Sequence, residues 1–223
     1  MSAVFITATG TDIGKTFVTA GLIRHLRALG REVDALKPVM TGFDPAHPEA
    51  SDAGVLLAAL GRPIIAAEIA RISPYRFSAP LSPDMAARRE RRDIDFNALT
   101  EFSAGAAARA EGTLLIEGIG GVMVPLDDQN TVLDWMAVLR IRVVVIAGSY
   151  LGSLSHTLTS LDAIRRRHLM IQALVVNETA GSTVPMADTV TTLKRFARST
   201  PVVTLRHSPI ATDQAFAEIA ALF

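Results

Sequence analysis

Gly14-Lys15-Thr16 closes the stretch A-T-G-T-D-I-G-K-T (Ala8–Thr16), which follows the apolar run Val4-Phe5-Ile6 and precedes a helical pattern, F-V-T-A-G-L-I-R-H-L. This order suits the binding of a phosphate chain. A loop that cradles phosphates turns its backbone N–H groups inward, so it needs glycine where a Cβ would block the approach. The lysine reaches the β- and γ-phosphates, and the hydroxyl after it supplies a magnesium ligand. Gly10, Gly14, Lys15 and Thr16 meet these demands, so the chain is expected to bind a nucleoside triphosphate with Mg2+. The strict spacing G-x-x-x-x-G-K places glycine at position 9, where this chain has Thr9; the small residue is Ala8.

Other groups gain meaning from that loop. Leu114-Leu115-Ile116-Glu117 is an apolar strand ending in an acid, the position from which a carboxylate completes a magnesium shell. Gly118, Gly120 and Gly121 follow it, permitting close backbone approach to a ligand. Lys37 ends another strand ahead of Pro38, Thr41 and Gly42; a second ammonium there would neutralise charge during phosphoryl transfer, although a solvent-facing lysine fits equally well. Asp52 after Ser51 suits either a helix-dipole partner or a second metal carboxylate, and the local pattern favours the dipole. Asn177-Glu178 at a strand end could read a base edge.

The elements that must position these groups alternate. Strands are expected at Val4–Thr7, Val33–Lys37, Leu114–Glu117, Arg142–Ala147, Ala173–Asn177 and Val202–Leu205. Helices are expected at Thr16–Leu29, Ser51–Leu60, Phe96–Ala110, Val132–Leu139, Ser153–His168, Pro185–Ala197 and Asp213–Ala221, with Asp95 and Ser153 as N-caps and Gly30 ending the first. Near-continuous apolar strands between helices indicate a parallel sheet covered on both faces. The expected fold is therefore α/β: a single phosphate-loop NTPase-like domain over 1–223 with a mostly parallel central sheet. The stretch 40–95 holds six prolines and is expected as an irregular insertion on the substrate side.

Composition narrows the function classes. The 223 residues fit one domain. Lys plus Arg equals Asp plus Glu, 22 each, so no net field draws the chain to nucleic acid or an anionic membrane. With no cysteine, disulfides, thiolate metal sites and a cysteine nucleophile are excluded. The five histidines show no zinc spacing. No apolar run approaches the ~20 residues of a spanning helix, and the N-terminus lacks a basic n-region, so a cytoplasmic location is expected.

Taken in order, the motifs resemble those of dethiobiotin synthetase, the ATP-dependent ring-closing enzyme family of biotin synthesis. The resemblance rests on I-T-A-T-G-T-D-I-G-K-T, L-K-P-V-M-T-G, S-D at Ser51-Asp52, S-P-Y-R-F-S-A-P-L-S-P, I-E-G-I-G-G-V-M-V-P-L, L-D-W at Leu133–Trp135 and Y-L-G-S-L-S-H-T-L-T at Tyr150–Thr159. It implies that Lys15 and Lys37 flank the transferring phosphoryl group and that Thr16, Asp52 and Glu117 hold Mg2+, displacing the dipole reading of Asp52. It implies nucleotide contacts from Asp12, Ile13, Gly14, Lys15, Thr16, Phe17, Glu117, Gly118, Ile119, Gly120, Asn177 and Glu178. Substrate contacts would come from Thr41 and, across a homodimer interface, from Leu151, Gly152, Ser153, Leu154 and Ser155. The implied partners are small molecules: ATP, CO2 and 7,8-diaminononanoate. One amine captures CO2 as a carbamate, whose oxygen attacks the γ-phosphate; the second amine then closes the urea ring and expels phosphate.

The chain departs from the family pattern at Ala8, Asp12, Asp84 and Ser155, and its V-V-T-L-R-H-S-P segment lacks the family's G-x-I-P-x-L loop near the base. The competing class is a phosphate-loop switch of the partitioning or metal-insertase type, but such loops usually carry an early lysine where this chain has Gly10. Related amide-forming synthetases often add a glutaminase domain, for which the chain has neither length nor cysteine.

Overall fold

The computed structural model describes Ser2–Phe223. In chain order it places β1 (Ser2–Ala8), α1 (Lys15–Ala28), β2 (Val33–Leu36), β3 (Val39–Met40), α2 (Asp52–Leu60), α3 (Ala66–Ile72), β4 (Tyr75–Arg76), α4 (Pro83–Arg89) and α5 (Phe96–Arg109). Then come β5 (Thr113–Glu117), α6 (Val132–Leu139), β6 (Arg142–Gly148), α7 (Ser153–Arg166), β7 (Ile171–Asn177), α8 (Met186–Phe196), β8 (Val202–Leu205) and α9 (Pro209–Ala220).

The main sheet runs β2-β5-β1-β6-β7-β8, and every neighbouring pair is parallel. Its strands are apolar because both faces are covered: Val4, Phe5 and Ile6, Leu115 and Ile116, and Val143 to Ala147 are fully buried. Right-handed crossovers assign the helices to faces. The chain steps one way across the sheet from β1 to β2 through α1, and the other way through α5, α6, α7 and α8. Packing agrees: α1 lies against α2 and α9, α5 against α6, and α7 against α8. The chain thus leaves the centre of the sheet in both directions, and the carboxyl ends of β1 and β5 flank the crevice this creates.

The six expected strands are all present. The 40–95 stretch is more ordered than expected. It carries three α-helices and a 3-10 turn at Pro48–Ala50, and the two short strands β3 and β4 pair in parallel. Hydrogen bonds from Tyr75 N to Pro38 O, Phe77 N to Met40 O and Gly42 N to Ala79 O zip this return segment to the chain leaving β2. The prolines hid this order because each element is short and held by a distant partner. Asp95 caps α5 by accepting from Ala98 N at 3.0 Å, and Gly30 takes φ 70° after α1. Ser153 is not a cap; Gly152 holds that position at φ 95°.

Candidate active site

The loop between β1 and α1 is shaped by its neighbours as well as by its glycines. Gly14, the residue before α1, has φ 91°, and a Cβ there would lie 2.3 Å from Asn177 Nδ2. Only glycine fits on both counts. Asp12 takes φ 55°, which aspartate tolerates better than most residues. Gly121, after β5, approaches so closely that a Cβ would stand 3.3 Å from the Gly10 backbone. The chain after β5 therefore lies directly on the phosphate loop.

Two lysines, two carboxylates and a hydroxyl converge at this loop. Lys37 is 1% exposed and Glu117 fully buried. The Lys37 ammonium places its three N–H donors on Glu117 Oε1 (2.8 Å), Asp52 Oδ2 (2.8 Å) and the Gly118 carbonyl (2.9 Å). Thr16 Oγ1 lies 2.7 Å from Glu117 Oε1 and 2.9 Å from Asp52 Oδ1, so its single proton serves one carboxylate at a time. Lys15 folds back to donate to the Gly10 carbonyl at 3.1 Å. Burial acts to lower the Lys37 pKa, but Glu117 and Asp52 outweigh it and hold the ammonium above its ordinary value. For Asp52, burial acts upward and is outweighed by Lys37, with help from Thr16 and Lys15, so its carboxyl lies below the usual range. Burial pushes Lys15 down to about 8; Lys37 adds to this, while Glu117, Asp52 and Asp12 oppose it.

Glu117 Oε2 is buried with no hydrogen-bond partner among the described residues. A buried carboxylate oxygen left unpaired is costly. Its neighbours Thr16 and Asp52 offer hard oxygen donors of the kind Mg2+ takes from proteins, one or two carboxylates with substrate phosphates completing the shell. The residues present therefore fit that ion.

A cavity of about 360 Å³ includes Lys15, Thr16, Lys37, Asp52, Ile119 and Gly120 in its lining. It shares Asp12, Gly14 and Phe17 with a larger one of about 740 Å³, which continues past Asn177, Glu178 and His207. Together they form one trough over the loop, deep and charged at the phosphate end, wider and more apolar beyond. Asn177 lines the wide end, but its amide is already engaged: Nδ2 donates to the Ile13 carbonyl at 3.0 Å, and Oδ1 lies 3.1 Å from His207 Nε2. Glu178 Oε2 accepts from the His207 backbone N–H at 2.9 Å.

Lys15, Thr16, Lys37, Asp52 and Glu117 thus come together as one cluster, with Asp12, Ile13, Phe17, Gly118, Ile119 and Gly120 beside it. Thr41 follows β3, half-buried, and is not hydrogen-bonded to the cluster. Leu151 to Ser155 surround the start of α7: Leu151 is 88% exposed, and Ser153 is buried with no hydrogen-bond partner for its Oγ among the described residues. His207 is not singled out by sequence reasoning. It is a lone histidine beyond the last strand, and its contacts with Asn177, Glu178 and Phe17, all distant in sequence, bring it to the trough.

Residues 2–210 match the family described as AAA domain. The chain is 49% identical to the ATP-dependent dethiobiotin synthetase of Acidiphilium cryptum, over 90% of this chain and 91% of that one. The chain belongs to the dethiobiotin synthetase family. The corresponding synthetase of Phenylobacterium zucineum is 46% identical over 91% of this chain and 87% of its own. Two solved structures share the phosphate-loop fold of this synthetase-family chain. The septum site-determining protein MinD of Pyrococcus horikoshii, complexed with Mg-ADP, gives TM-score 0.57 at 14% identity, covering 98% of this chain and 94% of that one. The MinC:MinD complex of Aquifex aeolicus gives 0.59 at 12%, covering 99% and 94%. At such identities they speak to the fold alone, whereas the synthetase relatives match nearly end to end.

Proposed function

We propose that this chain is a ligase joining CO2 to the two amines of 7,8-diaminononanoate at the cost of ATP, giving dethiobiotin, ADP and phosphate. The observation that carries the reading is the convergence of Lys15 and Lys37 with Thr16, Asp52 and Glu117 on the phosphate loop, in a chain of this family. The triphosphate lies in the narrow part of the trough, against the loop N–H groups and the start of α1, with the base toward Phe17. Thr16, Asp52 and Glu117 would hold Mg2+, which would supply charge neutralisation to the phosphate chain.

The first amine loses a proton as it bonds to CO2, forming a carbamate. A carbamate oxygen attacks the γ-phosphorus and ADP leaves, giving a carbamic–phosphoric anhydride. The second amine attacks the carbonyl, loses its proton and expels phosphate as the ring closes. Little covalent help is required of the protein; position and charge suffice. Lys15 swings from the Gly10 carbonyl onto the β- and γ-phosphates. Lys37 has no spare donor while it serves Asp52, Glu117 and Gly118, so it meets the oxygen that bridges carbamate and phosphorus by turning a donor away from one of these partners.

Thr41, at the exit from β3, contacts the diamine. The exposed Leu151 and the start of α7 suit a homodimer in which Leu151 to Ser155 of one subunit complete the other's substrate site, the helix N-terminus receiving the substrate carboxylate. Among the described residues no helix is long and apolar enough to cross a membrane. With 18O-labelled bicarbonate, the mechanism transfers label into the released phosphate through the carbamate oxygen. Phosphate carrying oxygen from water alone would contradict it.

A further inference from the structure

We infer that Asn177 is a positioning residue for the phosphate loop, an inference that rests on the nucleotide reading above. By holding the Ile13 carbonyl, it keeps the Gly14 N–H turned toward the phosphates. The Ile13 carbonyl can only accept, so the Asn177 atom 3.0 Å from it is the amide nitrogen. In a planar trans peptide the C=O and the following N–H point opposite ways. A bond that draws the Ile13 oxygen toward the end of β7 therefore aims the Gly14 N–H away from that strand. Gly14 lines both cavities of the trough. Its N–H makes no hydrogen bond among the described residues, which leaves a donor for a phosphate oxygen.

The restraint matters because position 14 is glycine. Its φ of 91° has no Cβ to defend it, and glycine adopts the opposite sign as readily. Turning the Ile13–Gly14 peptide over would point a carbonyl at the phosphates instead of a donor. Asn177 stands on a rigid base from which to prevent this. It is buried at the end of β7, which pairs with β6 on one side and β8 on the other. Its Oδ1 lies 3.1 Å from His207 Nε2, which holds the plane of the amide. Just beyond it, Ser149 N donates to Thr179 Oγ1 and Thr179 N to Ser149 Oγ, both at 3.0 Å. This reciprocal pair locks the ends of β6 and β7 together. Both ends of the Asn177 amide are thus engaged within the protein.

A contact with the base is the alternative to exclude, and a ligand that has no base separates the two. The experiment is equilibrium binding of inorganic tripolyphosphate and of ADP, each with Mg2+, to the full chain and to Asn177→Ala. Alanine removes the donor to Ile13 without adding charge. It is expected to weaken both ligands by a similar factor, about tenfold. His207→Ala leaves Asn177 in place but frees its amide to turn, and should weaken both by about two- to threefold. This second variant carries the test if Asn177→Ala fails to fold. A loss confined to ADP would make Asn177 a base contact and overturn the inference. So would a lowered melting temperature with both affinities unchanged. Binding of neither ligand by the unsubstituted chain would overturn the nucleotide reading and this inference with it.

Discussion

Lys37 and Lys15 are both cations at a phosphate loop, yet their surroundings give them different behaviour. Lys37 is saturated by two carboxylates and a carbonyl; Lys15 has one carbonyl and is desolvated. Lys37→Ala is expected to cut kcat by about 10²-fold or more with little change in the diamine KM, because its contact strengthens in the transition state. The same variant should melt lower without Mg2+, since Glu117 would be left buried without that cation. Unchanged turnover by steady-state kinetics would remove Lys37 from the mechanism. The Lys15 pKa, lowered from 10.5 to about 8, gives a pH dependence of definite sign. In the nucleotide-free protein the buried charge costs stability below about pH 8, and that cost is relieved as pH rises from 8 toward 10.5. A bound polyphosphate restores the proton, so nucleotide affinity should be flat below about pH 7.5 and fall toward tenfold per pH unit above about 8. Calorimetry across that range checks it, and Lys15→Arg should flatten the upper limb.

At the scale of elements, each functional group stands where one element ends or another begins. Glu117 ends β5, Lys37 lies one residue past β2, and Asp52 opens α2. Ser51 fixes the last of these by accepting from Gly54 N at 3.1 Å. Ser51→Ala should cost about 1 kcal/mol of stability and raise the Mg2+ concentration for half-maximal activity several-fold by loosening Asp52. A lowered melting temperature with an unchanged metal requirement would separate the cap from the site. These positions were largely legible in the sequence, because an apolar run ending in a charged residue shows both strand and terminus. The short helices α3 and α4 and the β3–β4 pair were not. Their hydrogen bonds go to partners far along the chain, such as Tyr75 to Pro38, and two-residue strands have no period to detect. Asp52 was legible as a helix start but ambiguous in role until Lys37 and Thr16 were found against it.

Across the whole molecule, the order of strands follows from alternating apolar runs and right-handed crossovers, but two features needed the assembled fold. One is the bracing of the phosphate loop by Asn177 and His207 from the far end of the chain. The other is the pair of large apolar side chains left on the surface. Leu151 at 88% and Met123 at 58% exposure are large apolar groups left open to water. The homodimer reading expects a dimer mass by light scattering, and Leu151→Asp should yield monomers of low activity; fully active monomers would contradict the shared site. The central claim is tested most directly by phosphate release with MgATP and bicarbonate, with and without 7,8-diaminononanoate, and the organic product identified by mass. Release that depends on the diamine and matches dethiobiotin one for one is the expected result. Hydrolysis indifferent to the diamine, with no ring-closed product, would contradict the account.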